Sequence, residues 1–131
     1  FAGHGQLRNQ GVDIALDESV AMYPIEDLLA AGAGDVFVIK PMAVGGVDVA
    51  RGMAVALRQM DHRVIFSTTI DSVVARTGAI HLAASLPDVP PSGLATGSFL
   101  ESDLAADPAP VSDGTISLPD APGLGIEEVD V

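Results

Sequence analysis

Residues 35–57 read DVFVIKPMAVGGVDVARGMAVAL, and this stretch decides the fold. The run Val36 to Ile39 has the length and β-branched content of a buried strand. Lys40 and Pro41 end it, and the glycine pair Gly45–Gly46 follows. From Val47 onward apolar residues recur at Ala50, Met53, Ala54 and Leu57, the spacing of one helical face, while Arg51 and Arg58 fall elsewhere. A buried strand followed by an amphipathic helix is a βα unit. Chains of such units form a parallel sheet covered by helices, or a closed barrel.

The pattern repeats on both sides. Upstream, VDIAL (Val12 to Leu16) reads as a strand, and Pro24 with Glu26 and Asp27 marks a helix start. That helix is expected to reach about Ala31 and to end at Gly32 or Gly34. Downstream, RVIF (Arg63 to Phe66) reads as a strand. Asp71 or Ser72 is expected to cap a helix through about Leu86, with Val73, Thr77, Ile80 and Ala84 on one stripe. A fourth unit starts near PSGLATG (Pro91 to Gly97), with a helical turn expected at Phe99 to Leu104. Beyond Asp107 proline, glycine and aspartate dominate, with a turn at SDGT and a short strand expected at Ile116 to Leu118. An eight-stranded barrel needs about 250 residues. The 131 residues here read as an α/β chain of about four βα units. That is the C-terminal half of a (β/α) barrel over 1–106, with an extended tail over 107–131.

Composition narrows the partners. There are 18 acidic residues against six basic ones, giving a net charge of −12. Phosphate backbones require a basic patch, so nucleic acid is excluded as a partner. No apolar run approaches the ~18 residues of a membrane span, so a soluble, cytoplasmic protein with no membrane partner is expected. The absence of cysteine removes disulfides and thiolate metal sites. Aspartate-rich, lysine-poor composition also fits a surface adapted to high salt. Lys40 is the single lysine.

In parallel α/β folds the functional groups gather at the carboxyl ends of the strands. Those ends carry Asp17, then Lys40, then Ser67, Thr68 and Thr69, then Gly93, Leu94 and Ala95. Each has a structural explanation as well. Asp17 in LDES fits a loop acid or helix cap, and Lys40 fits its ion-pair partner. The STT hydroxyls fit a polar loop. GGVD opens a helix and has the form of a phosphate loop. His4, His62 and His81 lack ligand spacing and read as structural.

Taken together, IALDES, VIKPMAVGG, FSTTIDS, GLATG and DGTISLPDAPGLGIE resemble the C-terminal barrel region of the enolase superfamily, muconate-lactonizing subgroup. Within it the resemblance is to the branch that dehydrates a succinyl-substituted hydroxycyclohexadiene carboxylate in menaquinone biosynthesis. The resemblance implies that Asp17 is one of three carboxylate ligands of Mg²⁺. It implies that Lys40 stabilises an enediolate as a cation, and that Ser67, Thr68, Thr69, Gly93, Leu94 and Ala95 line the pocket of a small carboxylate substrate. Racemases of the subgroup use the same lysine as a second base, and epimerases carry an acidic DxD where this chain has GLATG. A non-catalytic α/β binding module, with Asp17 and Lys40 as a structural pair, is the reading from another class.

The resemblance also implies a capping domain, a KxK-type strand and two more metal carboxylates in an N-terminal half of the same protein, toward which the tail would return. With those absent, the chain alone is expected to be inactive and poorly stable as a monomer. Strand alternation sets a test of register. If Asp17 and Lys40 face the barrel interior, so do Ala15, Val36, Val38 and Ile65. Ile14, Leu16, Phe37 and Ile39 then face helices, and the two charged groups fall within about 10 Å on neighbouring strands.

Overall fold

The computed structural model describes residues 2–8 and 10–129. Three parallel strands, β1 (Ala15–Leu16), β2 (Val36–Ile39) and β3 (Arg63–Phe66), lie side by side in sequence order. Their register pairs Leu16 with Phe37, Phe37 with Val64, and Ile39 with Phe66. The helices are α1 (Ala2–Leu7), α2 (Glu18–Met22), α3 (Ile25–Ala30), α4 (Pro41–Val44), α5 (Val47–Gln59) and α6 (Val73–Ala84). A 3₁₀ turn at Gly97–Phe99 and an antiparallel hairpin, β4 (Val111–Ser112) with β5 (Thr115–Ile116), complete the described chain.

Period-2 alternation builds the core. Leu16, Phe37, Ile39, Val64 and Phe66 are buried in one cluster with Ala50, Ala54 and Leu57 of α5 and Ala79, Ile80 and Leu82 of α6. The other face of the sheet is more open: Ala15 is exposed, and Val38 and Ile65 are half-buried. Val36 is buried but stands outside the helix-side cluster. The alternation therefore has the register expected of it, with Ile14 packed against the helix-side core. His62 places its ring edge-on to Phe37 at 5.2 Å, a packing role.

The Gly45–Gly46 pair has a backbone explanation. Gly45 caps α4 at φ 108° and Gly46 precedes α5 at φ 122°. Two consecutive residues in the left-handed region turn the chain from one helix into the next, a conformation costly for any side chain. The turn closes through the Gly46 N–H, which donates to the Pro41 carbonyl at 2.7 Å.

Upstream, Asp35 ties the start of the wall together. Its carboxylate accepts the Ile14 N–H at 2.9 Å and the Arg8 Nε–H at 2.8 Å. Those contacts, the Ile14 amide first and the Arg8 guanidinium second, hold its carboxyl below the usual value of 3.8.

Several boundaries differ from the sequence reading. The strand expected over Val12 to Leu16 shrinks to Ala15–Leu16. Val12 is 74% exposed, and Asp13 turns outward to pair with Arg63. The fourth strand is a single parallel bridge between Ser67 and Gly93, because Pro90 and Pro91 just before it have no N–H to donate. The stripe on α6 loses Ala84, which is exposed at the last helical position, and the helix stops there rather than at Leu86. Ser72 occupies the N-cap of α6 without a side-chain bond, and the Val73 N–H is taken by Asp103 instead. Asp71 bonds back to Thr69. The turn expected at Phe99 to Leu104 lies earlier, at Gly97–Phe99. The tail strand falls at Thr115–Ile116, where the turn at Asp113 and Gly114 closes a hairpin.

Candidate active site

The carboxyl ends of β1 and β2 carry the site. Asp17 follows β1 directly and stands at the N-cap of α2, where its carbonyl accepts the Val20 N–H at 3.0 Å. Its side chain makes no capping bond. The carboxylate is therefore free to turn toward the neighbouring strand end. Lys40 follows β2 and stands at the N-cap of α4, its backbone extended and its stem running beside Val38 along the open face. Pro41 at the first helical position requires that extended conformation of the residue before it.

Lys40 Nζ lies 2.8 Å from Asp17 Oδ1. At that distance the two charges form a salt bridge, and Oδ1 is shut off from solvent. The rest of the Asp17 carboxylate stays accessible, its side chain being 39% exposed against 20% for Lys40. A pocket of about 290 Å³ opens over the pair. Val20, Met22, Val38 and Val44 give it apolar walls, and Thr69 joins the two charges at its edge. An ammonium and a carboxylate against an apolar wall make a place where a polar ligand can be bound and oriented.

The other rim candidates are spent on each other. Ser67 Oγ donates to the Gly93 carbonyl at 3.2 Å, and the Gly93 N–H donates to the Phe66 carbonyl at 2.8 Å. Thr68 is buried and shares a 2.7 Å hydroxyl contact with Thr96. The Leu94 side chain enters the core, leaving only its backbone for a rim role. Gly93 and Ala95 are exposed. Thr69 thus shares a pocket with Asp17 and Lys40, whereas Ser67, Thr68, Gly93 and Leu94 form the framework of the adjoining loop.

Mg²⁺ is ligated by oxygen, often one or two carboxylates with retained water. Asp17, with one carboxylate oxygen open, suits one such position. Among the described residues no three of His, Cys, Asp or Glu cluster closely enough to enclose an ion. The residues present fit one ligand of a shared metal centre. Among the described residues no helix is long and apolar enough to cross a membrane.

Sequence reasoning missed Arg76 and its partners. An arginine inside VVARTGAIHLAA, in a chain so poor in basic residues, was the available signal.

Comparison with known proteins agrees with this architecture. The family described as Enolase C-terminal domain-like matches residues 1–130. A chloromuconate cycloisomerase of Cupriavidus pinatubonensis is 30% identical over 125 residues, 94% of this chain and 33% of that protein. The o-succinylbenzoate synthase of Mycobacterium tuberculosis is 36% identical over 119 residues, 85% of this chain and 33% of that protein. The chain therefore spans about a third of the length of these curated relatives. Among solved structures, the muconate lactonizing enzyme of Pseudomonas putida superposes with TM-score 0.83 at 21% identity, over 95% of this chain and 36% of that one. The L-Ala-D/L-Glu epimerase of Bacillus subtilis gives 0.82 at 27% identity, over 93% and 34%. A parallel α/β wall that carries its charged residues at the strand ends, matched along nearly its whole length, belongs to the enolase C-terminal domain-like family.

Proposed function

We propose that this chain supplies one side of the active site of an o-succinylbenzoate synthase, a carbon–oxygen lyase acting through an enediolate. The observation that carries this reading is the convergence of Asp17 and Lys40 at adjacent strand ends, over a pocket with an apolar wall. The 36% identity to the mycobacterial synthase supports the family within which this reading is made.

In this reading the α-proton of a hydroxycyclohexadiene carboxylate goes to a base on polypeptide outside these residues. The β C–O bond then breaks, the departing hydroxide takes a proton back from the same base and leaves as water, and the ring becomes aromatic. The chemistry concentrates negative charge on the substrate carboxylate before the C–O bond is lost. Lys40 keeps a compact ammonium beside that charge, and Val20, Val38 and Val44 exclude the water that would screen it. Asp17 orients the Lys40 ammonium through Oδ1 and offers its accessible side to Mg²⁺, which is expected to neutralise the enediolate. Thr69 lines the pocket with its hydroxyl proton directed to Asp71, and Ser67, Thr68, Gly93, Leu94 and Ala95 build the loop expected to line the substrate's side of the rim. In this reading 1–106 is the partial barrel, and 107–131 is the tail that would return toward the capping domain.

The test is reconstitution. This chain, co-expressed with a segment supplying the cap and first four strands of a mycobacterial relative, is expected to yield Mg²⁺-dependent dehydration. Lys40→Ala is expected to lower turnover at least about a hundredfold, because the lost interaction acts on the enediolate. Lys40→Arg is expected to fail too, since a planar guanidinium does not replace a compact ammonium. Turnover that survives either substitution overturns the assignment and favours a structural ion pair.

A further inference from the structure

We propose that Arg76 is a positioning residue that sets the loop from Gly93 to Gly97 against the carboxyl end of β3, acting as a two-pronged clamp anchored by Asp107. This rests on the function proposed above and adds a residue to it.

Arg76 lies on α6 with 1% of its surface exposed. A guanidinium in such a place needs partners on every prong, because its charge has left water. One prong, Nη2, pairs with Asp107 Oδ1. Another, Nη1, donates to the Leu94 carbonyl at 3.4 Å. Nε is buried with no acceptor, and the reason is the loop itself. Gly97 packs over this edge so closely that a Cβ there would stand 3.3 Å from Nε and 3.5 Å from Cζ. The loop therefore packs against the guanidinium at Gly97 and is bonded to it at Leu94. From the strand side, Thr68 meets Thr96 at 2.7 Å.

The anchor completes the argument. Asp107 has a side chain 38% exposed, so its own cost of burial is small. Four residues earlier, Asp103 takes the Val73 N–H at the start of the same helix with both oxygens, at 2.8 and 2.9 Å. Two carboxylates, one turn of helix apart in what they grip, bind the segment after the loop to α6. The loop is fixed before and after, and Arg76 sits beneath its middle. Lysine cannot do this, since a single ammonium reaches Asp107 or the Leu94 carbonyl but has no planar fork to hold both.

Hydrogen exchange separates positioning from simple stability. The amides of Gly93, Phe99 and Leu100 close the loop by donating to Phe66, Thr96 and Gly97 carbonyls. In the full chain, Arg76→Lys is expected to speed exchange at these three amides about tenfold, while those of Phe37 and Ile39 in β2 change less than about twofold. Asp107→Asn, which keeps the shape and removes the charge, is expected to give the same pattern and serves if Arg76→Lys does not fold. In the reconstituted enzyme both variants are expected to raise KM at least about fivefold with kcat within about twofold. Unchanged loop exchange overturns the clamp, and so does equal acceleration in β2, which marks plain destabilisation. A fall in kcat at constant KM overturns the link to substrate binding. If wild-type reconstitution gives no turnover, the proposed function fails, and the exchange comparison alone decides the clamp.

Discussion

The wall from Ile14 to Phe66 and the segment from Leu86 to Val129 are built by different means. In the wall, every second strand residue enters one apolar cluster, and α5 answers with Ala50, Ala54 and Leu57 at helical spacing. In the later segment, the described regular structure amounts to one 3₁₀ turn and a hairpin of two-residue strands. Leu94 and Ala109 reach the same apolar cluster, and the rest of the order there comes from single contacts: Asp103 at the start of α6, Asp107 on Arg76, and Ser67 on Gly93. The wall depends on many small, redundant terms, and the segment on a few single polar contacts made to distant parts of the chain. Damage should therefore spread in the first and stay confined in the second.

The largest effect is expected from Phe66→Ala. Phe66 is fully buried between the sheet and helices, and such truncations cost about 3–5 kcal/mol. A chemical-denaturation midpoint should fall accordingly, with the whole wall losing protection together. A loss under about 1 kcal/mol would mean that the cluster is loosely packed, and the contrast would dissolve.

A smaller effect is expected from Asp103→Ala, about 1 kcal/mol, by analogy with the loss of a capping oxygen. Exchange should quicken in the first turn of α6 and in residues 98–104, leaving β2 untouched. Loss of protection in β2 would show that the later segment supports the wall rather than leaning on it.

The smallest effect is a matter of pH. Asp35 has its carboxyl held below the ordinary 3.8 by the Ile14 amide and the Arg8 guanidinium. A folded value below the unfolded one adds stability that is present above pH 3.8 and lost as pH falls through the depressed folded value. Asp35→Asn should flatten that acid limb of the stability profile. An unchanged limb would place the acid sensitivity elsewhere among the carboxylates.

The same contrast explains what could be read from the sequence. The strand faces were legible because period-2 burial leaves Leu16, Phe37 and Ile39 apolar, and the α5 face because Ala50, Ala54 and Leu57 recur at helical spacing. The meeting of Asp17 and Lys40 followed from counting strand ends, and their separation of 2.8 Å falls inside the expected range. Short helices were not legible. The four residues of α4 and five of α2 are too few to display a period and take their shape from the strand ends they follow. The cap on α6 was assigned to its nearest polar residues, whereas the donor is satisfied by Asp103 from thirty positions away. Arg76 stood out as an arginine within an apolar helix, but its partners, Leu94 and Asp107, were not legible because they become neighbours only after the loop folds back.

Lys40 is the single lysine of the chain, and that scarcity gives the molecule a built-in reporter. An amine-selective reagent has one side chain to modify, at the mouth of the pocket. The pairing with Asp17 covers part of that amine, leaving its side chain 20% accessible. The rate of acylation thus reads out a single ion pair, without a label being introduced. A ligand that draws the ammonium away from Asp17, or an assembly that closes over the rim, registers as a change in that one rate.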